Sequence, residues 1–187
     1  MHGLFYAIFY METMKFQHDS SYIIHTLPPV WDKDSIVLIL GTMPSPKSRE
    51  AGFYYMHPQN RFWPVLAAVT GEKLVYKNDG GAPAVEERRA LILRHHFALW
   101  DVLAGCDITG ADDASIHNPH PNDFSAILAG SSVSRIYCTG QTAYKYYTKL
   151  CAAITHIPAV CLPSTSPANQ GRWPIDKLIT AYGVITK

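Results

Sequence analysis

The chain lacks most of the features that assign a function at sight. Neither charge is in excess: 16 Lys and Arg stand against 15 Asp and Glu, a formal net charge of +1. Bulk attraction to a polyanion is therefore absent, and any nucleic-acid contact has to come from a local patch. Cysteine is scarce, and Cys106, Cys138, Cys151 and Cys161 include no C-x-x-C pair, which argues against a zinc or iron–sulfur site. Cys138 and Cys161 lie in apolar, strand-like runs, as buried thiols of a reducing compartment do. Neither G-x-x-x-x-G-K-[ST] nor G-x-G-x-x-G occurs, so readings based on ATP or a dinucleotide lose the glycine turns those ligands need. The acidic residues match no calcium loop. The apolar run within MHGLFYAIFYMETMKF is too short to cross a bilayer. It also lacks the basic leader and small-residue cleavage site of a secretory signal. These absences lead us to expect a cytoplasmic monomer that uses no cofactor and no metal and contacts no membrane.

What is present is an alternating pattern. A chain of 187 residues is long enough for one domain with its own core. Residues 1–34 read as an N-terminal arm and 35–187 as the domain. Four short apolar runs read as strands: Ser35–Gly41 (SIVLILG), Phe97–Trp100, Ser134–Gly140 and Pro158–Pro163. The first is continuously apolar, as a strand covered on both faces is. Helical patterns fall between them at Asn60–Gly71, Val85–His96, Asn122–Gly130, Thr142–Ile154 and Arg172–Ile185. Strands alternating with helices predict an α/β fold, a three-layer α/β/α sandwich around a mostly parallel four-stranded sheet. Ligands of such sheets bind beyond the carboxyl ends of the strands. The loops to inspect are thus those beginning at Gly41, Asp101, Gly140 and Pro163.

The first loop, Gly41–Pro64, is the most informative. Gly41 and Pro44 can form a tight turn that aims backbone N–H groups outward. Phe53, Tyr54, Tyr55, His57, Asn60, Arg61, Phe62 and Trp63 then bring aromatic rings beside an amide and a basic group, a combination suited to a flat heterocycle. Phe62 and Trp63, at a helix start, are better read as core packing. Tyr55, in a polar stretch before His-Pro, is better read as functional. The last loop, Leu162–Trp173, offers the hydroxyls of Ser164, Thr165 and Ser166 together with Arg172. By composition alone it is an ordinary capping turn. The strand-end rule makes it a candidate phosphate contact by placing it beside the Gly41 loop. In the loop after Trp100, Asp107 and Asp112 read as solvated turn carboxylates.

The order of these segments resembles a known family. HPQNRFW at His57–Trp63 is similar to a motif of the mismatch-specific uracil-DNA glycosylases. LILGTMPSPKS with FYYMHPQN, GADDASI at Gly110–Ile116 with NDF at Asn122–Phe124, TGQTA at Thr139–Ala143 and LPSTSPAN at Leu162–Asn169 resemble the hypoxanthine-DNA (deoxyinosine) glycosylase branch of the uracil-DNA glycosylase superfamily more closely. The resemblance runs from about Pro28 to the end of the chain. It implies a monofunctional enzyme of base excision repair that flips a deaminated base, hypoxanthine and/or uracil, out of damaged DNA and hydrolyses its N-glycosidic bond. The mismatch-specific relatives carry a catalytic Asn where this chain has Met43, which can hold no water, and another Asn where it has Ser164. The resemblance therefore assigns the catalytic amide to Asn60. His57 is either a proton donor to the leaving base or a structural cap. Thr42, Met43 and Tyr55 are implied to bind the base, and Ser164, Ser166, Asn169 and Arg172 the DNA. Asp113, Ser115 and Asn118 are candidates for the pocket wall. Two alternatives stay open: a lesion-binding module without catalysis, and a small-molecule nucleoside hydrolase.

Overall fold

A computed structural model describes residues 22–187; the apolar run that opens the chain lies outside them. The expected sheet is there. β2 (Val37–Gly41), β3 (Phe97–Asp101), β6 (Arg135–Thr139) and β7 (Ala159–Leu162) form one sheet in the order β3-β2-β6-β7. Every neighbouring pair in it is parallel. All five residues of β2 are buried, the pattern of a central strand covered on both faces.

Alternate residues of β2 feed two separate cores, as the period of two along a strand requires. Val37 and Ile39 join the core built by α2 (Phe62–Thr70), α3 (Ala82–Arg94) and α7 (Ile175–Tyr182). Leu38 and Leu40 join the core built by α4 (Ser125–Gly130) and α5 (Gln141–Leu150). The result is the three-layer sandwich. Phe62 and Trp63 are fully buried, as their place at a helix start predicts. Pro64 falls in the first turn of α2, where a missing N–H is harmless. The helix expected over 142–154 is broken instead: Cys151 leaves helical geometry (φ −121°) and separates α5 from a short α6 (Ala152–Thr155).

Two features were not anticipated. A short helix, α1 (Pro46–Ala51), lies inside the first loop, capped by Ser45, which accepts from the Ser48 N–H, and ended by Gly52 in the left-handed region. A second, antiparallel sheet pairs β1 (Tyr22–Ile24), β4 (Leu103–Asp107) and β5 (His117–Pro121) in the order β1-β4-β5. It builds residues 22–34 into the body of the domain. The His25 N–H bonds the Ala104 carbonyl at 2.8 Å, Val30 bridges Leu99, and Leu27 and Val30 are buried. Among the described residues, no helix is long and apolar enough to cross a membrane.

Candidate active site

The carboxyl ends of the four parallel strands open into a cavity of about 670 Å³. That size falls within the range of small-ligand sites, roughly 300–1,000 Å³. Gly41, Asp101, Gly140 and Pro163, the starting points of the four loops, all line it.

The first and last loops are stitched together along one side of this cavity, and Arg61 does most of the stitching. It is buried. Its backbone N–H and its Nε both donate to the Thr165 carbonyl (3.2 and 3.3 Å), its Nη2 to the Ser166 carbonyl (2.7 Å), and its Nη1 to the Trp173 carbonyl. A guanidinium spent on carbonyls is a clamp, not a ligand for an incoming anion. Beside it, Asn60 Oδ1 accepts from the Thr165 hydroxyl (2.9 Å) and from the Phe62 N–H (2.9 Å). The backbone donor fixes which end of the amide is oxygen. Asn60 Nδ2 has no partner among the described residues, and Asn60 lines the cavity.

Tyr55 forms part of the wall. Its ring stacks on Phe62 with centroids 3.9 Å apart and an interplanar angle of 17°. The fully buried Phe62 thus backs a ring that itself lines the cavity. The Thr139 hydroxyl donates to the Leu40 carbonyl (3.2 Å), so the Tyr55 hydroxyl donates to Thr139 Oγ1 (2.8 Å). Burial, followed by the negative charge of Asp101, holds the Tyr55 phenol well above its ordinary pKa, so it stays a donor. Tyr55 sits at φ +55°, a conformation that disfavours side chains. Asn78 braces it by donating to the Tyr55 and His57 carbonyls, both at 2.9 Å.

Thr42 and Met43 line the cavity, and their backbone N–H groups have no acceptor among the described residues. The Thr42 hydroxyl donates to Asp113 Oδ2 at 3.0 Å, which brings Asp113 to the wall. Burial is the main force raising the Asp113 pKa. The Thr42 hydrogen bond opposes it, and the charges of Asp101 and Asp112 add to it. A carboxyl whose folded pKa lies above its unfolded value destabilises the fold when ionised. That penalty is present at neutral pH and disappears as pH falls through the raised value toward 3.8. Asp113→Asn should therefore melt higher than the wild type at pH 7, with the gap closing near pH 4. Thermal melts at the two pH values check it; equal gaps would contradict the assignment.

Ser164, Ser166, Asn169 and Arg172 also line the cavity. Ser164 Oγ accepts the Ser166 N–H (3.2 Å) and Ser166 Oγ accepts the Ala168 N–H (3.4 Å). Each hydroxyl proton is left to bond an acceptor such as a phosphate oxygen. Gly140, at φ +122°, lets the β6 turn approach this loop: a Cβ there would lie 3.2 Å from Ser164 Cβ.

Three residues named from the sequence are not brought to the cavity wall. His57 is a turn residue. Its Nδ1 accepts the Gln59 N–H (3.2 Å) and its carbonyl accepts the Asn60 N–H (2.8 Å), so it braces the turn that presents Asn60. Ser115 spends its hydroxyl on the loop, accepting from the Thr109 N–H (2.9 Å) and donating to the Asp112 carbonyl (2.7 Å). Asn118 Nδ2 donates to Asp107 Oδ2 at 2.6 Å. Asp101, not among the site residues expected from the sequence, also belongs to the wall. It lines the cavity yet is 3% exposed, with Oδ2 paired to His25 Nε2 at 3.0 Å. The signal available was its position at a strand end.

A parallel sheet with a cavity at its carboxyl edge, walled by a glycine turn, an aromatic ring and a serine-rich loop, defines a class that the family comparison identifies. The family model described as "Uracil DNA glycosylase superfamily" matches residues 28–181, and the chain belongs to that superfamily. Among curated proteins it is similar to a hypoxanthine DNA glycosylase of Methanosarcina acetivorans, 31% identical over 144 residues, covering 76% of this chain and 86% of the relative. It is also similar to a hypoxanthine DNA glycosylase of Methanosarcina barkeri, 34% identical over 100 residues, covering 54% of this chain and 60% of the relative. Among solved structures it matches the solution NMR structure of a candidate uracil DNA glycosylase from Methanosarcina acetivorans. That match has a TM-score of 0.70 at 26% identity and covers 89% of this chain and all of the other.

Proposed function

We propose that this protein is a monofunctional DNA glycosylase that extrudes a deaminated base, hypoxanthine and/or uracil, and hydrolyses its N-glycosidic bond. The observation that carries the reading is a convergence. One cavity holds a ring for stacking (Tyr55), unpartnered donors (the Thr42 and Met43 N–H groups and Asn60 Nδ2) and a rim of hydroxyls with the exposed Arg172. Extrusion costs a few kcal/mol, least at a mismatched or damaged pair. Stacking on one aromatic face returns about 1–3 kcal/mol.

The chemistry follows from which atoms are free. As the C1′–N bond breaks, its electron pair goes to the base and positive charge develops on the sugar. Donors aimed at the base carbonyl stabilise the departing anion. Asn60 Oδ1 is already occupied by two donors, so Asn60 acts through Nδ2. A water that accepts this N–H keeps a lone pair for C1′. Attack on a cation-like sugar demands little basicity, so the proton that the water loses on bonding to C1′ passes to solvent, the departing base anion takes one up, and no strong base is required. The carboxylates of Asp101 and Asp113 in the wall favour the positive sugar electrostatically.

Incubation with oligonucleotides carrying hypoxanthine or uracil, followed by alkali, tests the reading: the strand should break at the lesion. Binding without breakage would indicate a non-catalytic module. Hydrolysis of free inosine alone would indicate a nucleoside hydrolase. Arg172→Ala should weaken binding to all sequences alike and lower the salt slope of log K by about 1, the signature of one lost phosphate contact. An unchanged slope in a salt titration would remove Arg172 from the DNA interface.

A further inference from the structure

Asn78 joins two parts of the site from outside the cavity. Its Nδ2 donates one hydrogen to the Tyr55 carbonyl and the other to the His57 carbonyl, both at 2.9 Å. Two carbonyl acceptors fix which end of this amide is nitrogen. The His57 carbonyl also accepts the Asn60 N–H at 2.8 Å. One amino group therefore links the residue that supplies the stacking ring to the residue that supplies the free amide nitrogen. Tyr55 sits at φ +55°, a strained backbone that persists only where its surroundings over-determine it. Phe62 and Thr139 hold its ring; Asn78 holds its carbonyl.

The segment that carries Asn78 is itself pinned to α3. The Glu87 carboxylate accepts the Val75 N–H (2.6 Å) and the Tyr76 N–H (3.3 Å). The buried Arg88 donates through Nη2 to the Tyr76 carbonyl (3.2 Å) and through Nη1 to the Ala84 carbonyl (2.9 Å), with its guanidinium 5.8 Å from the Trp63 ring centroid. Val75 and Tyr76 are 80% and 50% exposed, so ionic hydrogen bonds, not core packing, hold this stretch. Gly80, at φ +84°, lets the segment close on α1: a Cβ there would lie 2.7 Å from Ala51 Cβ. Among the described residues, two enclosed side-chain polar atoms lack a partner, Asn78 Oδ1 and Arg88 Nε, and both belong to this framework. An enclosed polar atom left unpaired costs stability and calls for a reason. None of Asn78, Glu87 and Arg88 lines the cavity, so the reason lies in what they hold. We infer that Asn78 is a positioning residue for the reaction: it sets the Tyr55 ring and the Asn60 amide in one register, and Glu87 and Arg88 hold the segment that carries it. The inference rests on the glycosylase reading of the cavity and adds a control on its geometry from α3.

The test measures single-turnover release and lesion affinity on hypoxanthine- and uracil-containing duplexes, at a temperature where thermal melts show each variant folded. Asn78→Ala should slow release at saturating enzyme by about 10- to 100-fold, since a misplacement of about 1 Å costs on the order of 10²-fold. Affinity should fall much less, because Phe62 still backs the ring. Asn78→Asp keeps the shape and removes both donors, and should release no faster than the alanine variant; a packing role predicts rescue. Glu87→Ala should slow release with the same split between rate and affinity. The double variant Asn78→Ala with Glu87→Ala should be no slower than Asn78→Ala alone, since Glu87 acts through Asn78. Release by Asn78→Ala at the wild-type rate, rescue by Asn78→Asp, an equal fall in rate and affinity, or losses that multiply in the double variant would each overturn the assignment. If Asn78→Ala melts below the assay temperature, Glu87→Ala decides: slowed release with affinity kept supports the assignment, and unchanged release overturns it. A wild type that releases neither base overturns the glycosylase reading and this assignment with it; a wild type that releases base while Asn78→Ala matches it overturns this assignment alone.

Discussion

Asn60→Ala is expected to abolish base release, lowering the single-turnover rate by at least about 10²–10³, the cost of removing one preorganised donor from an active site, while lesion affinity changes little. Asn60 has two tasks, and they can be separated. Its oxygen caps α2 through the Phe62 N–H and ties the two loops through Thr165, each at 2.9 Å. Its nitrogen has no protein partner among the described residues. Alanine removes both, so it should also cost about 1 kcal/mol in stability, as a lost helix cap does. Asn60→Asp keeps the two accepted bonds and removes only the N–H donors. It should fold as the wild type does and still fail to release the base, because the Nδ2 donor that positions the attacking water is gone. Release by the Asp variant at near wild-type rate would show that Nδ2 has no part in the chemistry.

Tyr55→Ala should weaken lesion binding about 10- to 100-fold, corresponding to the 1–3 kcal/mol of one stacked base. The ring is preset, backed by Phe62 and held at positive φ by the Asn78 brace, so little further ordering is needed when a base arrives. Tyr55→Phe keeps the stacking face and loses only the bond to Thr139. It should bind nearly as the wild type does. Fluorescence anisotropy with hypoxanthine-containing duplex separates the two variants. Equal affinity for wild type and Tyr55→Ala would place the base elsewhere in the cavity.

The layout of the main sheet was readable because its strands are buried on both faces and therefore spell continuous apolar runs. The second sheet was not. LAGCD and HNPHP carry few β-branched residues, and prolines in the latter suggest a loop, which is how an edge strand can read. α1 escaped attention although Ser45, Pro46 and Gly52 supply its capping signals, since six residues show no periodicity. In the site, strand-end geometry pointed to the four loops that line the cavity, and Tyr55, Asn60 and Thr42 fall in its wall. Sequence set Asp101 apart from the neighbouring acidic residues only by its place at a strand end, and not by its burial. Asp112 caps an exposed turn by accepting the Ala114 N–H, while Asp101 is buried by a histidine 76 positions earlier, a pairing that only the antiparallel β1 strand creates. His57, left open between a proton donor and a structural cap, lies three residues from Asn60 in the turn that presents the amide and does not line the cavity.

The most direct test is a crystal structure of the protein bound to a duplex that carries 2′-fluorinated deoxyinosine, whose fluorine slows bond cleavage by disfavouring positive charge on the sugar. The account predicts hypoxanthine rotated out of the helix, its face on the Tyr55 ring, its carbonyl on the Thr42–Met43 turn and Asn60 Nδ2 within hydrogen-bond reach of the reacting bond. A lesion still stacked in the duplex, or lodged away from residues 41–60 and 162–172, would contradict it.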